Sequence, residues 1–344
     1  MKALLLKEYK KFSYEDAPLP ELAPDEVLVA VKACGICGSD VHGMDGRSGR
    51  RIPPLIMGHE AAGVVADVGS QVQRWKTGDR VTFDSTLYCG ACWYCRRGEV
   101  NLCDHRRVLG VSCSEYRRHG AFAQFVNVPE RIVYRLPGNL PFEQAAMAEA
   151  LSVAAHAVLR SPVKLNDTAL VVGAGMIGLL LIQMLRLAGC RRVMAVDLNE
   201  QRLQIARQVG ATETFNAKTE PVPARVADLT EGRGADLSFE AVGFGPALDT
   251  AVQSVRKGGS VTLVGNLQAR LELPLQSVVV RQISLLGTCA SAGEYPLCLD
   301  LLASGKIDVG PCISATPPLS QGAQWFERLY AGDQGLMKVV LLPP

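Results

Sequence analysis

The sequence predicts an α/β protein with two domains, one a doubly wound parallel sheet and the other β-rich. Three observations carry the prediction. From Asp167 to Gly287, short β-branched runs alternate with apolar-periodic stretches, the pattern of βαβ units and a parallel sheet. Residues 1–32 instead alternate apolar and polar positions, as in Val27-Leu28-Val29-Ala30-Val31, between Pro18, Pro20 and Pro24; that pattern belongs to short antiparallel strands. Finally, 344 residues with 48% hydrophobic content suffice for about two domains, each with its own core.

Taken in order, the β-rich part first offers Cys34-Gly35-Ile36-Cys37-Gly38-Ser39-Asp40-Val41-His42, a turn rich in potential ligands. Met57-Gly58-His59-Glu60 then leads into a strand, and Gly69 and Gly78-Asp79 punctuate further short strands. The segment holding Cys89, Cys92, Cys95 and Cys103 has neither helical nor strand periodicity. Two strands are expected within 120–137 and a helix over 142–159, carrying Glu149. The parallel domain reads as strands 169–172, 193–196, 214–215, 237–240, 260–264 and 283–286, with helices 179–187, 201–208 and 247–255 among them. Past Gly287 the pattern is mixed, and 338–342 looks like a closing strand that returns to the β-rich part. The expected division is 1–151, completed by 290–344, against 152–289.

The centre of the parallel domain is Gly173-Ala174-Gly175-Met176-Ile177-Gly178, preceded by an apolar strand and followed by an apolar helix. Gly173 suits a tight strand-to-helix turn, Gly175 lets backbone approach a pyrophosphate, and Gly178 allows close helix–strand packing. The helix N-terminus, with Met176 and Ile177 in its first turn, offers unpaired N–H groups to the anion. A second apolar run ends on Asp197, where a carboxylate can accept hydrogen bonds from ribose hydroxyls. Strand, glycines, helix and acid together predict a Rossmann dinucleotide site.

Totals narrow the function. A net charge of +2 gives no electrostatic reason for a nucleic-acid or membrane partner. The first twenty residues are charged throughout, so no secretory signal is expected and a cytoplasmic location is. The most apolar window, 169–185, is the nucleotide strand and helix and is broken by glycines and Gln183. Eleven cysteines in such a chain point to metal ligands or core residues before disulfides. Four of them, Cys89, Cys92, Cys95 and Cys103, have the composition of a closed tetrahedral zinc site. Cys37, His59 with Glu60, and Glu149 supply thiolate, imidazole and carboxylate for a second, open site, where zinc keeps a position for water or substrate. Glu60 is read as able to replace either carboxylate or water. Asp40 is read as an acceptor that fixes a ligand imidazole.

Gly35-Ile36-Cys37-Gly38-Ser39-Asp40, Gly58-His59-Glu60, the four-cysteine loop and the glycine fingerprint occur in the order seen in the zinc-dependent medium-chain dehydrogenases, which the whole chain resembles. The chain is most similar to the polyol branch: sorbitol, sugar-alcohol and sugar-alcohol-phosphate dehydrogenases, with threonine dehydrogenase close by. The pointer is Glu149, in Glu149-Ala150-Leu151-Ser152-Val153, where simple-alcohol members carry cysteine; a proline usual after that glutamate is Ala150 here.

The resemblance implies a GroES-like catalytic domain beside the Rossmann domain, NAD, one catalytic and one structural zinc, and a homodimer or homotetramer. It implies oxidation of a polyol or other secondary alcohol, a sugar alcohol to a ketose, with hydride passing to NAD. It also implies a proton relay through Ser39 and His42, and backbone near the cofactor at Gly243, Val264, Gly265 and Gly287. Zinc that lowers a hydroxyl pKa by about 9 units supplies about 12 kcal/mol, against about 3–5 kcal/mol from general-base help alone. The metal is the larger effect. Asp197 favours NAD over NADP, because a 2′-phosphate about 4 Å away meets repulsion of about 4 kcal/mol per charge at an effective dielectric of about 20. Arg202 and Arg191-Arg192 offset part of this. Threonine dehydrogenase-like and sugar-alcohol-phosphate activities stay as alternatives, the latter suggested by Arg96-Arg97, Arg106-Arg107 and Arg117-Arg118. A catalytically silent nucleotide-binding protein is a further alternative. Phe122 is read either as pocket wall or as core.

Overall fold

The computed structural model describes residues 1–344 and contains two compact units: 1–149 with 292–305 and 313–344, and 150–291 with 306–312. In the first unit the main sheet has seven strands. Its central strand, Glu26–Gly35, lies antiparallel between Glu60–Val68 and Lys338–Leu341. Gly35 is thereby paired with Glu60 on one side and with Val340 on the other. The closing strand expected at the C-terminus therefore returns to the β-rich sheet. Alternation along the central strand buries Val27, Val29 and Val31, and a register shift between Val31 and Ala33 brings Cys34 into the same core with Leu4, Phe83, Phe122 and Phe326.

The second unit is a six-stranded parallel sheet. Its strands stand in the order Glu213–Asn216, Arg192–Asp197, Thr168–Val172, Ala235–Glu240, Val255–Leu263, Ser284–Gly287. The order reverses between Thr168–Val172 and Ala235–Glu240, the place where doubly wound sheets bind ligands. The strands next to the reversal are buried on both faces, as helices on either side of a parallel sheet require.

Several boundaries differ from the sequence reading. The expected helix 142–159 is two pieces, Phe142–Ala145 and Ala148–Arg160, because Met147 N–H bonds Gln144 O and tightens the turn between them. Residues 120–124 form no strand, only an isolated antiparallel bridge from Ala123 to Ala3; the strand is Phe125–Pro129. The expected helix 247–255 ends at Ser254, since the β-branched Val255 already opens the next strand, Val255–Leu263. Helix Val222–Leu229 escaped the reading; two prolines and an alanine-valine alternation blur its period.

Candidate functional site

Cys37 caps a short helix, Gly38–Gly43, and its Sγ accepts from Ser39 N–H. The capping acid is Asp40, fully buried, whose carboxylate reaches back to Cys37 N–H at 3.4 Å. At the start of the neighbouring strand, His59 just before it and Glu60 as its first residue are buried, and the ligand atoms of Cys37, His59 and Glu60 all lie within 4.8 Å of one another. His59 Nδ1 faces Asp40 Oδ2 at 3.5 Å without an aligned hydrogen bond. Arg51 donates to Asp40 Oδ1 from Nε at 3.1 Å and Nη2 at 2.9 Å. Burial opposes the Asp40 charge, but His59 and Arg51 hold its carboxyl down at about 2. Burial likewise opposes a charged His59, yet Asp40 and Cys37 carry the imidazole well above its ordinary value. The field at this spot favours positive charge. Thiolate, imidazole and carboxylate in such a field fit a bound zinc ion.

Glu149 is not one of the three residues grouped within 4.8 Å, but the charges of His59 and Glu60 act on it. It lies in the first turn of helix Ala148–Arg160, and Ser85 Oγ donates to its Oε1 at 3.4 Å. Burial, above all, raises its carboxyl to about 7, with Glu60 and Asp84 adding to the rise against His59. Ser39 and His42 are both exposed, and Ser39 Oγ accepts from Arg51 Nη2 at 3.3 Å. Phe122 is core: it is fully buried, edge-to-face with Phe326 at 5.6 Å.

The second cluster, Cys89, Cys92, Cys95 and Cys103, also brings its sulfurs within 4.8 Å of one another. Backbone N–H groups turn toward the sulfurs. Ala91 and Cys92 donate to Cys89 Sγ, while Cys89 and His105 donate to Cys103 Sγ. The Ala91 and Cys92 donors lower the Cys89 thiol to about 6, whereas burial and Cys92 push Cys95 up to about 12. Four convergent sulfurs, one already favoured as thiolate, fit a structural zinc.

In the second unit, Gly173 has φ of +101°, and a Cβ on Gly178 would sit 1.8 Å from Gly173 O. The turn and the close packing both demand glycine. A Cβ on Gly175 would meet nothing within 4 Å, so the backbone beside helix Met176–Leu187 stays open, a cradle that fits a pyrophosphate. Met176 and Ile177 form the first turn of that helix. Asp197 Oδ1 accepts from the N–H groups of Leu198 and Asn199, and Arg202 Nη1 lies 4.0 Å from its Oδ2. Gly243 and Gly265 pack against each other, backbone to backbone: a Cβ on Gly265 would lie 2.0 Å from Gly243 N. Val264 N–H and Gly265 N–H both bond Glu240 O.

Three residues of these sites escaped the sequence reading. Arg51 sat among surface-like arginines, and Glu240 ended an ordinary strand. Glu240 is buried, its carboxylate accepting from the N–H groups of Val242 and Gly243, so it ties down the turn that follows its own strand at the sheet's reversal. The third, Lys338, donates to both oxygens of Glu60; a lysine at the head of an apolar closing strand was its available signal. The arginine pairs mostly serve local structure: Arg97 pairs with Glu99, Arg106 bonds Asn101 O, Arg117 bonds Ser112 and Arg118 holds Glu26.

Two family models match this chain: the alcohol dehydrogenase GroES-like domain over residues 23–138 and the zinc-binding dehydrogenase over 177–304. A sorbitol dehydrogenase of Bacillus subtilis is 33% identical over 348 residues, with 100% of this chain and 97% of that protein covered. An L-idonate 5-dehydrogenase of Vitis vinifera is 38% identical over 310 residues, covering 88% and 84%. Among solved structures, a zinc-binding dehydrogenase from Sinorhizobium meliloti bound to NADP aligns with a TM-score of 0.92 at 31% identity, covering 99% of each chain.

Proposed function

The chain belongs to the zinc-dependent medium-chain dehydrogenases, in their polyol branch, and from that premise we propose that it moves hydride between NAD and a polyol or other secondary alcohol, sugar alcohol to ketose. The observation that carries the proposal is the grouping of Cys37, His59 and Glu60 within 4.8 Å, backed by Asp40. These residues, with Glu149 nearby, would hold a zinc ion whose Lewis acidity makes a substrate hydroxyl easier to deprotonate. Asp40 Oδ2, 3.5 Å from His59 Nδ1, stands where it would accept from that nitrogen and fix the ring once a metal is held. Ser39 Oγ, accepting from Arg51, keeps its own O–H free to pass a proton on, and exposed His42 is the outlet to solvent.

In the same proposal Cys89, Cys92, Cys95 and Cys103 hold a second, structural zinc, giving two per chain. The open backbone at Gly175 and the helix start at Met176 and Ile177 take the pyrophosphate. Asp197 accepts from ribose hydroxyls, which favours NAD, while Arg202 beside it is the feature that would help NADP. Gly243, Val264 and Gly265 form the wall that Glu240 fixes. A small-molecule alcohol is the partner in catalysis. No helix is long and apolar enough to cross a membrane, and eleven free cysteines suit the reducing cytoplasm proposed here.

A panel of sorbitol, xylitol, galactitol 1-phosphate and threonine, followed by NADH absorbance, tests the proposal. Turnover on a free polyol is the expected result. Turnover on threonine alone would replace the reading with amino-alcohol oxidation.

A further inference from the structure

Thr168–Val172, the strand that leads into the glycine turn, is flanked by two strands that each end on an acid, Asp197 on one side and Glu240 on the other. The two acids stand in different surroundings. Asp197 has Arg202 Nη1 4.0 Å from its Oδ2. Glu240 is 1% exposed, and peptide N–H groups alone answer its charge. Val242 N–H donates to Oε1 at 2.8 Å, and Gly243 N–H reaches Oε1 at 2.8 Å and Oε2 at 3.0 Å. Burial raises the carboxyl pKa, those donors oppose the rise, and no charged side chain bears on it. The same donors fix the turn. Val242 Cγ2 comes within 2.6 Å of where a Cβ on Gly173 would stand, and Gly265 packs on the Val242–Gly243 peptide.

We propose that Glu240 tells the oxidised cofactor from the reduced one: its negative charge, matched by no cation, favours the positively charged nicotinamide ring of NAD⁺ over the neutral ring of NADH. The inference rests on the dinucleotide reading of Gly173, Gly175 and Gly178. With the adenosine ribose at Asp197 and the pyrophosphate at the open backbone of Gly175, the second nucleoside extends the other way along the strand order. That direction leads over the ends of Ala235–Glu240 and Val255–Leu263. Adjacent strands are about 5 Å apart, so Glu240 belongs to that half of the cofactor and not to the adenosine. The two redox forms share everything but one unit of charge on the ring. A buried anion without a counter-ion acts on that unit more strongly than a solvated one. The N–H groups of Val242 and Gly243 favour the ionised carboxylate and hold it in place, yet as dipoles they leave its net charge standing.

The experiment uses the full-length wild type with E240Q, E240D, E240A and D197N, each checked for fold by circular dichroism. NADH affinity is read from its fluorescence on titration, and NAD⁺ affinity from displacement of NADH. NADPH and NADP⁺, which differ by the same unit charge, are run alongside. E240Q keeps an acceptor for both N–H groups and removes the charge. It is expected to weaken NAD⁺ about ten-fold and leave NADH within about two-fold, the effect of one charge about 12 Å away at an effective dielectric of about 20. E240D keeps the charge and should hold the wild-type ratio of the two affinities even where both weaken. E240A should weaken both forms and shift the ratio, and D197N should change both alike. A folded E240Q with the wild-type ratio overturns the proposal. Equal weakening of both forms does the same, because a carboxylate that merely braces the turn acts on both. A ratio shifted as far in E240D or D197N as in E240Q overturns it too. Failure of E240Q and E240A to fold while E240D folds assigns Glu240 to stability and overturns it equally. A wild type that binds neither cofactor pair overturns the dinucleotide reading itself, an outcome distinct from all the others.

Discussion

Ala174 and Asp197, 23 residues apart, are joined by a hydrogen bond in which the Ala174 N–H donates to Asp197 Oδ2 at 2.8 Å. The bond ties the glycine turn to the end of the neighbouring strand. With the donors Leu198 and Asn199, it fills three of the roughly four acceptor positions of a carboxylate. A position remains for a ribose hydroxyl. D197A should therefore weaken NAD binding by about 1–2 kcal/mol, roughly ten-fold, and narrow the preference for NAD over NADP. KM values for both cofactors check this, and an unchanged preference would remove Asp197 from cofactor selection.

Metal content should be two zinc per chain by atomic emission, falling to one in C103S. Zinc held by four thiolates contributes on the order of 10 kcal/mol to local folding. The segment around Cys89 and Cys103 should then become a protease-cut site in C103S while the parallel-sheet unit stays intact. Two zinc retained by C103S would disprove the four-cysteine site.

Arg51 is needed to offset the buried Asp40 charge. R51M should lower the stability of the β-rich unit by about 3–5 kcal/mol, because it leaves an unpaired charge in the interior. D40N added to R51M should recover part of the loss. Urea midpoints for the four proteins form the test, and a strictly additive double variant would show that the two side chains are uncoupled.

Asp236 predicts an acid limb in the stability of the parallel-sheet unit. Burial raises its pKa, but Thr168 N–H at 2.9 Å and Arg256 Nε at 2.7 Å outweigh that and lower it overall. A depressed folded-state pKa means stability that is present above the unfolded value of about 4 and is lost as pH falls through the folded one. D236N should cost about 2 kcal/mol at pH 7 and flatten the decline below about pH 5. Denaturation at stepped pH would show equal acid limbs if the carboxylate did not matter.

Leu275, Val279 and Val280 are 61%, 66% and 70% exposed on helix Leu275–Val280, next in sequence to the edge strand Ser284–Gly287. An apolar helix face near an open sheet edge is a surface that self-association would cover. We expect a homodimer or homotetramer by sedimentation, and a smaller species from V280D. A monomeric wild type at micromolar concentration would end that expectation.

Much of the site was legible in the sequence where its physics is local. Gly173, Gly175 and Gly178 form one turn and one helix start, and Cys89 to Cys103 form one loop, so spacing alone predicts how they converge. Helix ends were less legible. Met147 switches the hydrogen-bond pattern between two helical pieces although its neighbours are all good helix formers. Phe122 could be read as pocket or core, and only its contact with Phe326, from a distant helix, settled the matter.

By itself, then, the sequence determined the two-domain α/β architecture, the dinucleotide fingerprint and the four-sulfur cluster, because each is written within a few turns of chain. Only the tertiary structure decided that the ligand atoms of Cys37, His59 and Glu60 come within 4.8 Å of one another, and that Lys338 stands against Glu60 from 278 residues away. The reason is strand register. Gly35 pairs with Glu60 on one side and Val340 on the other, and an alternating period sets which side chains meet across those strands. No spacing along the chain encodes that meeting.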